Sequence, residues 1–381
     1  MERYLFKKIK TDLTEKMVFI GGPRQVGKTT LSLSFLGKYP PIKAPFPKGY
    51  INWDFIPDKE ALISGKIPGD EKMIIFDEIH KYKHWRNLIK GFYDKFKGQI
   101  EFIITGSARL DYYFRGGDSL QGRYHYYRLH PFTLGEIDSK YHKSGIDALM
   151  EYGGFPEPFL SQNKRNLRRW QKSREERILM DDLRDLERIN EIELLKVLLD
   201  AIPKRVGSPL SLNSLRENLQ ISHETITRWM NILENIYIGY SLLPYGSEKI
   251  RAIKKERKFY LWDWSKCADT GKKFENLVAS HLLKFCHLME DWEGYNMELR
   301  YIRNREGKEL DFVVIKEGHP LFAVECKVNK TIIDPSIKYF KERLHEIPHF
   351  YQVHLSDDDF IVDEKIRILP FNKFCLEKQI P

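Results

Sequence analysis

Residues 22–29 read GPRQVGKT, which matches G-x-x-x-x-G-K-[ST] at every fixed position. The apolar run Met17–Ile20 precedes this stretch and LSLSFL, Leu31–Leu36, follows it, so strand, glycine loop and helix come in the order such a loop requires. That order has a physical reason. Backbone N–H groups and a helix N-terminus converge on one spot and attract an anion, while Lys28 adds a cation and Thr29 a hydroxyl suited to magnesium. Gly22, Pro23, Arg24, Gln25, Val26, Gly27, Lys28, Thr29 and Thr30 are therefore expected to surround the phosphates of ATP, with Mg2+ beside them.

A second stretch completes the chemistry. MIIFDEIH, Met73–His80, reads as a buried strand ending in two carboxylates, of which Asp77 is expected to hold magnesium and Glu78 to activate the attacking water. FIITGS, Phe102–Ser107, is a third strand whose polar end faces the γ-phosphate, with Ser107 preferred to Thr105 as the sensing group. Gly122 and Arg123 stand just before the strand-like YHYYRL. An arginine there is either a transition-state finger for a neighbouring subunit's nucleotide or a solvated surface residue.

Taken together, GGPRQVGKTT, FDEIHK, ITGSARL, LQGR, HPFTLGE and YGGFPEP resemble the prokaryotic AAA+ ATPases that carry a C-terminal domain of unknown function. The resemblance continues through KFYLWDWS, FENLVASHLL and ELDFVV, so it spans nearly the whole chain. It implies an α/β protein: a five-stranded parallel AAA+ core over residues 1–145 and a helical lid over 146–205. Beyond the lid it implies a winged helix over 206–262 and a restriction-endonuclease-like PD-(D/E)xK domain over 263–381. The length of 381 residues suits two or three domains.

Charge narrows the partner. Lys and Arg number 63 against 54 Asp and Glu, a net +9, which points to a polyanion such as DNA. Asn163–Arg177 carries seven basic residues against two acidic ones, and at helical spacing Arg165, Arg168, Arg169 and Lys172 share a face. A solvated lid helix and a phosphate track fit this pattern equally. Ser211–Ile236 has the spacing of two short helices joined by a turn, with Ser222 as N-cap of the second. Thr227 and Arg228 would meet DNA bases there. The following LLPYGSEKIRAIKKERKFYLWD reads as two strands around a basic loop, in which Lys254 and Lys255 would bind phosphate and Lys258 would belong to the same basic set. The same helix pair could instead pack against protein.

One stretch resists a purely structural reading. In AVECKV, Glu325 and Lys327 fall on one face of an otherwise apolar strand, and a buried ion demands a partner. Asp311 lies 14 residues upstream, across the turn signal KEGHP, so a hairpin would bring it beside Glu325. With Glu275 from a preceding helix, these are the parts of a PD-(D/E)xK site: carboxylates for a metal at Asp311 and Glu325, and Lys327 to steady charge. A structural ion pair accounts for the same residues. Four cysteines without CxxC spacing and no apolar run near 18 residues suit a cytoplasmic setting without a membrane. The functions that follow are an ATP-driven homo-oligomer acting on DNA, an ATP-gated nuclease, or a nucleotide-operated switch for a protein partner.

Overall fold

The computed structural model describes residues 2–106, 120–137, 142–178, 189–246, 257–329 and 332–381. They fall into two compact units, Met1–His130 and Pro131–Pro381. The borders expected at 145, 205 and 262 lie within the second.

The first unit is built on five strands: β1 (Met17–Gly21), β2 (Tyr50–Asn52), β3 (Met73–Asp77), β4 (Glu101–Thr105) and β5 (Tyr124–Arg128). They lie in the order β2-β3-β4-β1-β5, every pairing parallel. A parallel sheet covered on both faces needs continuous apolar strands rather than alternating ones. β1 is buried at all five positions and Ile74, Ile75 and Phe76 of β3 are fully buried, as this demands. The helix Trp85–Phe96 covers one face through Trp85, Ile89 and Phe92, and the Phe76 ring stacks between Phe92 at 6.0 Å and Phe102 at 5.9 Å.

The second unit begins with helices His142–Tyr152, Pro156–Ser161, Lys164–Arg177 and Ile189–Ala201. Next come β6 (Pro209–Leu210), the helix pair Leu212–Leu219 and His223–Asn235, β7 (Gly239–Pro244) and β8 (Arg257–Leu261). Ser222 caps the second helix of the pair as expected, accepting from Thr225 N at 3.0 Å. The long helix Thr270–Glu293 is followed by β9 (Met297–Arg303), β10 (Glu309–Lys316), β11 (His319–Cys326), β12 (Phe350–His354), β13 (Phe360–Ile361) and β14 (Ile366–Pro370). β7 pairs with β8 through Gly239–Leu242 and with β9 at Leu243 and Pro244. One mixed sheet of nine strands, β13-β14-β12-β11-β10-β9-β7-β8-β6, therefore runs through the unit. Among the described residues no helix is long and apolar enough to cross a membrane.

The long helix carries polar groups into the core, and each is matched. Asn276 donates to Leu261 O at 2.8 Å and accepts from Leu261 N at 2.9 Å, pairing the end of β8 as a strand would. His281 donates from Nδ1 to Leu277 O at 2.8 Å and accepts at Nε2 from Leu134 N at 3.1 Å. Those two bonds require the neutral ring, in keeping with burial that lowers its pKa to about 3. Lys284, with no exposed surface, pairs with Glu136 and donates to Thr133 Oγ1 at 2.7 Å. Removing one member of a buried pair strands the other charge. Lys284→Ala is expected to destabilise the protein by about 3–5 kcal/mol, and Lys284→Met combined with Glu136→Leu by much less. Urea unfolding curves of the single and double variants measure the difference.

Candidate functional site

Strand register levels the carboxyl ends of the central strands. Thr105 pairs with Ile20 on one side and Asp77 on the other, and Asp77 pairs with Asn52. Open parallel sheets present their sites along that edge. The glycine loop leaves β1 there. Gly22 has φ +139°, and a Cβ on it would lie 2.4 Å from Leu129 O, so no other residue fits. Gln25 and Gly27 also have positive φ, which curls the loop before the helix Lys28–Phe35. Arg3 holds the loop from outside, donating from Nη1 to Val26 O at 2.8 Å and from Nη2 to His130 O.

Inside the loop Lys28 is buried, its Nζ donating to Gly22 O at 2.9 Å and Pro23 O at 2.7 Å. Thr29 Oγ1 and Tyr50 OH both donate to Asp77 Oδ2, at 2.8 and 2.7 Å, and Thr105 Oγ1 donates to Asp77 Oδ1. Burial, reinforced by the charge of Asp77, raises the Tyr50 pKa, so its hydroxyl stays a donor. Thr105, passed over in the sequence reading, touches Asp77, whereas Ser107 lies outside the described residues. Tyr50 was missed altogether, since an aromatic residue opening a short strand carries no signal of this contact.

Glu78 adopts φ 57°, a left-handed conformation that strains a non-glycine residue and turns its side chain off the strand line. Burial raises its pKa against the opposing pull of Lys28. His80, with Nε2 3.7 Å from Glu78 Oε2, is pushed down to about 4 by burial and by Lys81, Lys28 and Arg24. Gln25 Oε1 and His80 Nδ1 are buried with no hydrogen-bond partner among the described residues. An unpartnered amide oxygen and imidazole nitrogen, an enclosed ammonium and a hydroxyl on a carboxylate form a polar set that fits a nucleoside triphosphate with Mg2+.

Arg123 stands elsewhere. Its carbonyl accepts from Met17 N at 3.2 Å, and β5 then runs alongside β1 until Arg128 meets Gly21. Five residues of strand, roughly 16 Å at about 3.3 Å each, separate it from the loop in its own chain. Its guanidinium pairs with Asp94, Nε to Oδ1 at 2.8 Å.

Residues 14–138 match a family model described as an AAA domain. This segment is similar to AAA domains. Its match takes in all five strands of the first sheet, and ATPase chemistry with a nucleotide ligand is the general property of the class. Residues 143–268 and 270–374 match two further models, each described as a domain of unknown function (DUF8612 and DUF4143). Relatives include an uncharacterized protein of Haemophilus influenzae, 23% identical over 84% of this chain and 85% of its own length. Another is the uncharacterized protein MJ1544 of Methanocaldococcus jannaschii, 25% identical over 96% and 89%. Among solved structures, a Thermococcus gammatolerans assembly of McrB AAA+ hexamers with bound McrC is similar at 12% identity and a TM-score of 0.19, covering 46% of each chain. A STAND ATPase with a tetratricopeptide repeat sensor from Pyrococcus horikoshii has 11% identity and a TM-score of 0.21, covering 76% of this chain and 51% of its own. The chain spans about half the length of these solved structures, and scores so low add nothing to the sheet order.

The residues expected to form a second site also converge. β10 and β11 form a hairpin whose two turn residues, Glu317 and Gly318, both have positive φ, as a tight hairpin turn needs. Pro320, expected in the turn, lies within β11 instead. Register puts Asp311 opposite Glu325, and Asp311 N donates to Glu325 Oε2 at 3.3 Å. The pairing of β10 with β9 shifts between Leu310 and Val313, a bulge at Asp311 that re-aims its side chain. Lys327 Nζ bridges Glu325 at 2.8 Å and Asp334 at 2.9 Å. Glu275 Oε1 accepts from Tyr260 OH at 2.7 Å, and Gly207 above it has no room for a Cβ, which would meet Glu275 Oε2 at 2.5 Å.

Lys258 is the correction. Expected in a solvent-facing basic loop, it has no exposed surface. Its Nζ lies 2.5 Å from Glu309, 3.2 Å from Glu275 and 3.6 Å from Asp311. A cation already stands at the focus of these carboxylates, and among the described residues no group of three or more His, Cys, Asp or Glu side chains is arranged to hold a metal. The sequence did hold a signal: a lone lysine opening the apolar strand KFYL. Of the residues expected at DNA, Thr227 Oγ1 donates to His223 O at 2.8 Å and Arg228 is exposed. Lys254 and Lys255 lie outside the described residues.

Burial, then the charge of Asp311, raises the Glu275 pKa to about 7, and burial raises Asp311 and Glu325 in the same direction. A carboxyl that holds its proton more tightly when folded adds stability below its unfolded pKa and loses that contribution as pH rises through the folded value. Stability is therefore expected to fall between about pH 4.5 and pH 7 from this group, and Glu275→Gln to flatten that slope. Thermal melts of both proteins across the window test it.

Proposed function

We propose that the protein is an ATP-hydrolysing machine that binds DNA and remodels it, with the second unit as the DNA-bearing part. The observation that carries the ATPase half is the meeting of Thr29, Asp77 and Glu78 at the carboxyl edge of the sheet. In this reading Lys28 leaves its loop carbonyls to pair with the phosphates, and Glu78 accepts a proton from the attacking water. Thr29 and Asp77 would hold Mg2+, which would supply positive charge to the phosphate oxygens. Tyr50 and Thr105 keep Asp77 aimed, and Thr105 couples the end of β4 to the same carboxylate. Arg123 is too far from its own loop to act there, so its role as a finger rests on a homo-oligomer in which it meets another copy's nucleotide.

Support for DNA is chemical. The net charge of +9 suits a polyanion. The helix pair Leu212–Leu219 and His223–Asn235 with β6, β7 and β8 has the element order of a winged helix, with Arg228 exposed on the second turn of its second helix. The sheet with its acidic pocket is read as a nuclease-like scaffold in which Lys258 stands in place of a metal, so DNA cutting is the lesser reading. The protein is expected in the cytoplasm, in keeping with four free cysteines.

ATP turnover measured with and without duplex, single-stranded and branched DNA tests the whole reading. DNA-stimulated turnover with intact DNA is the expected result. Turnover indifferent to every DNA would favour the switch that engages a protein partner, and manganese-dependent nicking lost in Asp311→Asn would restore the nuclease. Glu78→Gln is expected to bind ATP while losing roughly 10²- to 10⁴-fold in kcat. Because Glu78 must be ionised to act and its pKa is raised, wild-type kcat should fall on acidification at a higher pH than an ordinary glutamate would give. A rate profile of the two proteins against pH reads this directly.

A further inference from the structure

Neither charged site accounts for a cavity of about 630 Å3 in the second unit, between the helices Lys164–Arg177 and Ile189–Ala201 and the start of Thr270–Glu293. The helix Lys164–Arg177 is fixed by its inner side. Trp170 and Arg174 are buried there, the Arg174 guanidinium lying 4.5 Å from the Phe155 ring centre. Arg168, Gln171, Lys172 and Glu175 consequently form one wall. Polar ties hold the walls apart: Gln171 Nε2 donates to Ser265 Oγ at 3.0 Å, Lys266 pairs with Glu175, and Lys272 Nζ donates to Lys204 O at 2.7 Å.

The charges around this cavity do not balance. Arg168, Lys172, Lys204, Lys266 and Lys272 face Glu175, Asp200 and Asp269. Glu175 is already matched by Lys266, and Asp269 Oδ1 is occupied as the N-cap of the long helix, accepting from Lys272 N at 2.8 Å. Arg168, Lys172 and Lys204 have no acidic partner within ion-pair distance among the described residues. Like charges held around one concavity repel, and a polyvalent anion relieves that repulsion. Leu199, Pro203 and Ala268 add an apolar surface, and the volume falls in the usual range for small-ligand pockets.

We propose that this cavity binds a nucleoside phosphate, with the phosphate on Arg168, Lys172 and Lys204 and the sugar or base against Leu199 and Pro203. The ligand is either a free nucleotide or the phosphorylated end of a nucleic-acid strand. The site is separate from the glycine loop and from the helix pair assigned to DNA, so it stands or falls independently of the ATPase reading.

Calorimetry on the full chain carrying Lys28→Ala, which silences the glycine loop, tests it with four probes: AMP, adenosine, and a 5′-phosphorylated oligothymidylate beside its unphosphorylated form. AMP is expected to bind and adenosine not. Lys172→Glu with Lys204→Glu should weaken AMP at least tenfold, while Lys164→Glu, on the same helix but outside the cavity, leaves it unchanged. Arg168→Gln with Lys172→Gln provides a milder pair should the reversal disturb folding, which circular dichroism melting reports. Binding of the phosphorylated oligomer alone, lost in the same variants, assigns the site to strand ends. Binding of no probe, or binding that both sets of variants leave intact, overturns the proposal.

Discussion

A lysine ammonium with no exposed surface obliges carboxylates to gather around it, because an unpaired buried charge is far too costly to keep. Lys258 is the second residue of β8, and its partners come from the long helix through Glu275 and from β10 through Glu309 and Asp311. Pieces of chain far apart in sequence thus meet at one nitrogen. The pairing of β7 with β8 at one end and β9 at the other is the backbone counterpart of that gathering. The ring of Tyr260 stands beside the cluster, its hydroxyl on Glu275 and its face 5.7 Å from Phe312, so the charges are sealed by packing as well as paired. Together these contacts make one sheet of the region where a winged helix and a nuclease-like domain were expected as neighbours.

The two charged sites use different chemistry for the same problem. Asp77 is satisfied by three hydroxyls, from Thr29, Tyr50 and Thr105. Neutral donors of this kind rotate, and each leaves a lone pair or a free acceptor behind, so a carboxylate they hold can still take a cation. Asp311 and Glu275 share a full positive charge on a side chain packed in place. A divalent ion entering there would have to displace an ammonium that has nowhere to go except the core. Two sites that both carry carboxylates therefore carry opposite expectations for metal.

What was legible in the sequence follows from how local each contact is. The loop Gly22–Thr29 and the pair Asp77 and Glu78 were readable because each is a run of adjacent residues on a strand end, where backbone geometry alone sets direction. The hairpin that places Asp311 opposite Glu325 was readable for the same reason, since a short turn fixes register. Lys258, Glu309, Tyr50 and Thr105 were not, because their roles arise from pairings between strands far apart in the chain. Arg123 shows the converse: its place before β5 was read correctly, but only the register shows that it stands at the opposite edge from its own loop.

Position along the sheet also bears on how a cycle could be transmitted. Asp77 ends β3, Thr105 ends β4 and Thr29 begins the helix after β1, so one carboxylate is bonded to three separate elements of the core. Any change in what Asp77 holds must be felt by all of them, since each hydroxyl either keeps its bond or finds another partner. Thr105 is the residue from which the chain leaves the sheet toward β5 and Arg123. A rearrangement begun at the glycine loop thus reaches the end of β4 through the hydrogen bond from Thr105 to Asp77, and the chain that leaves Thr105 leads on to Arg123 and β5.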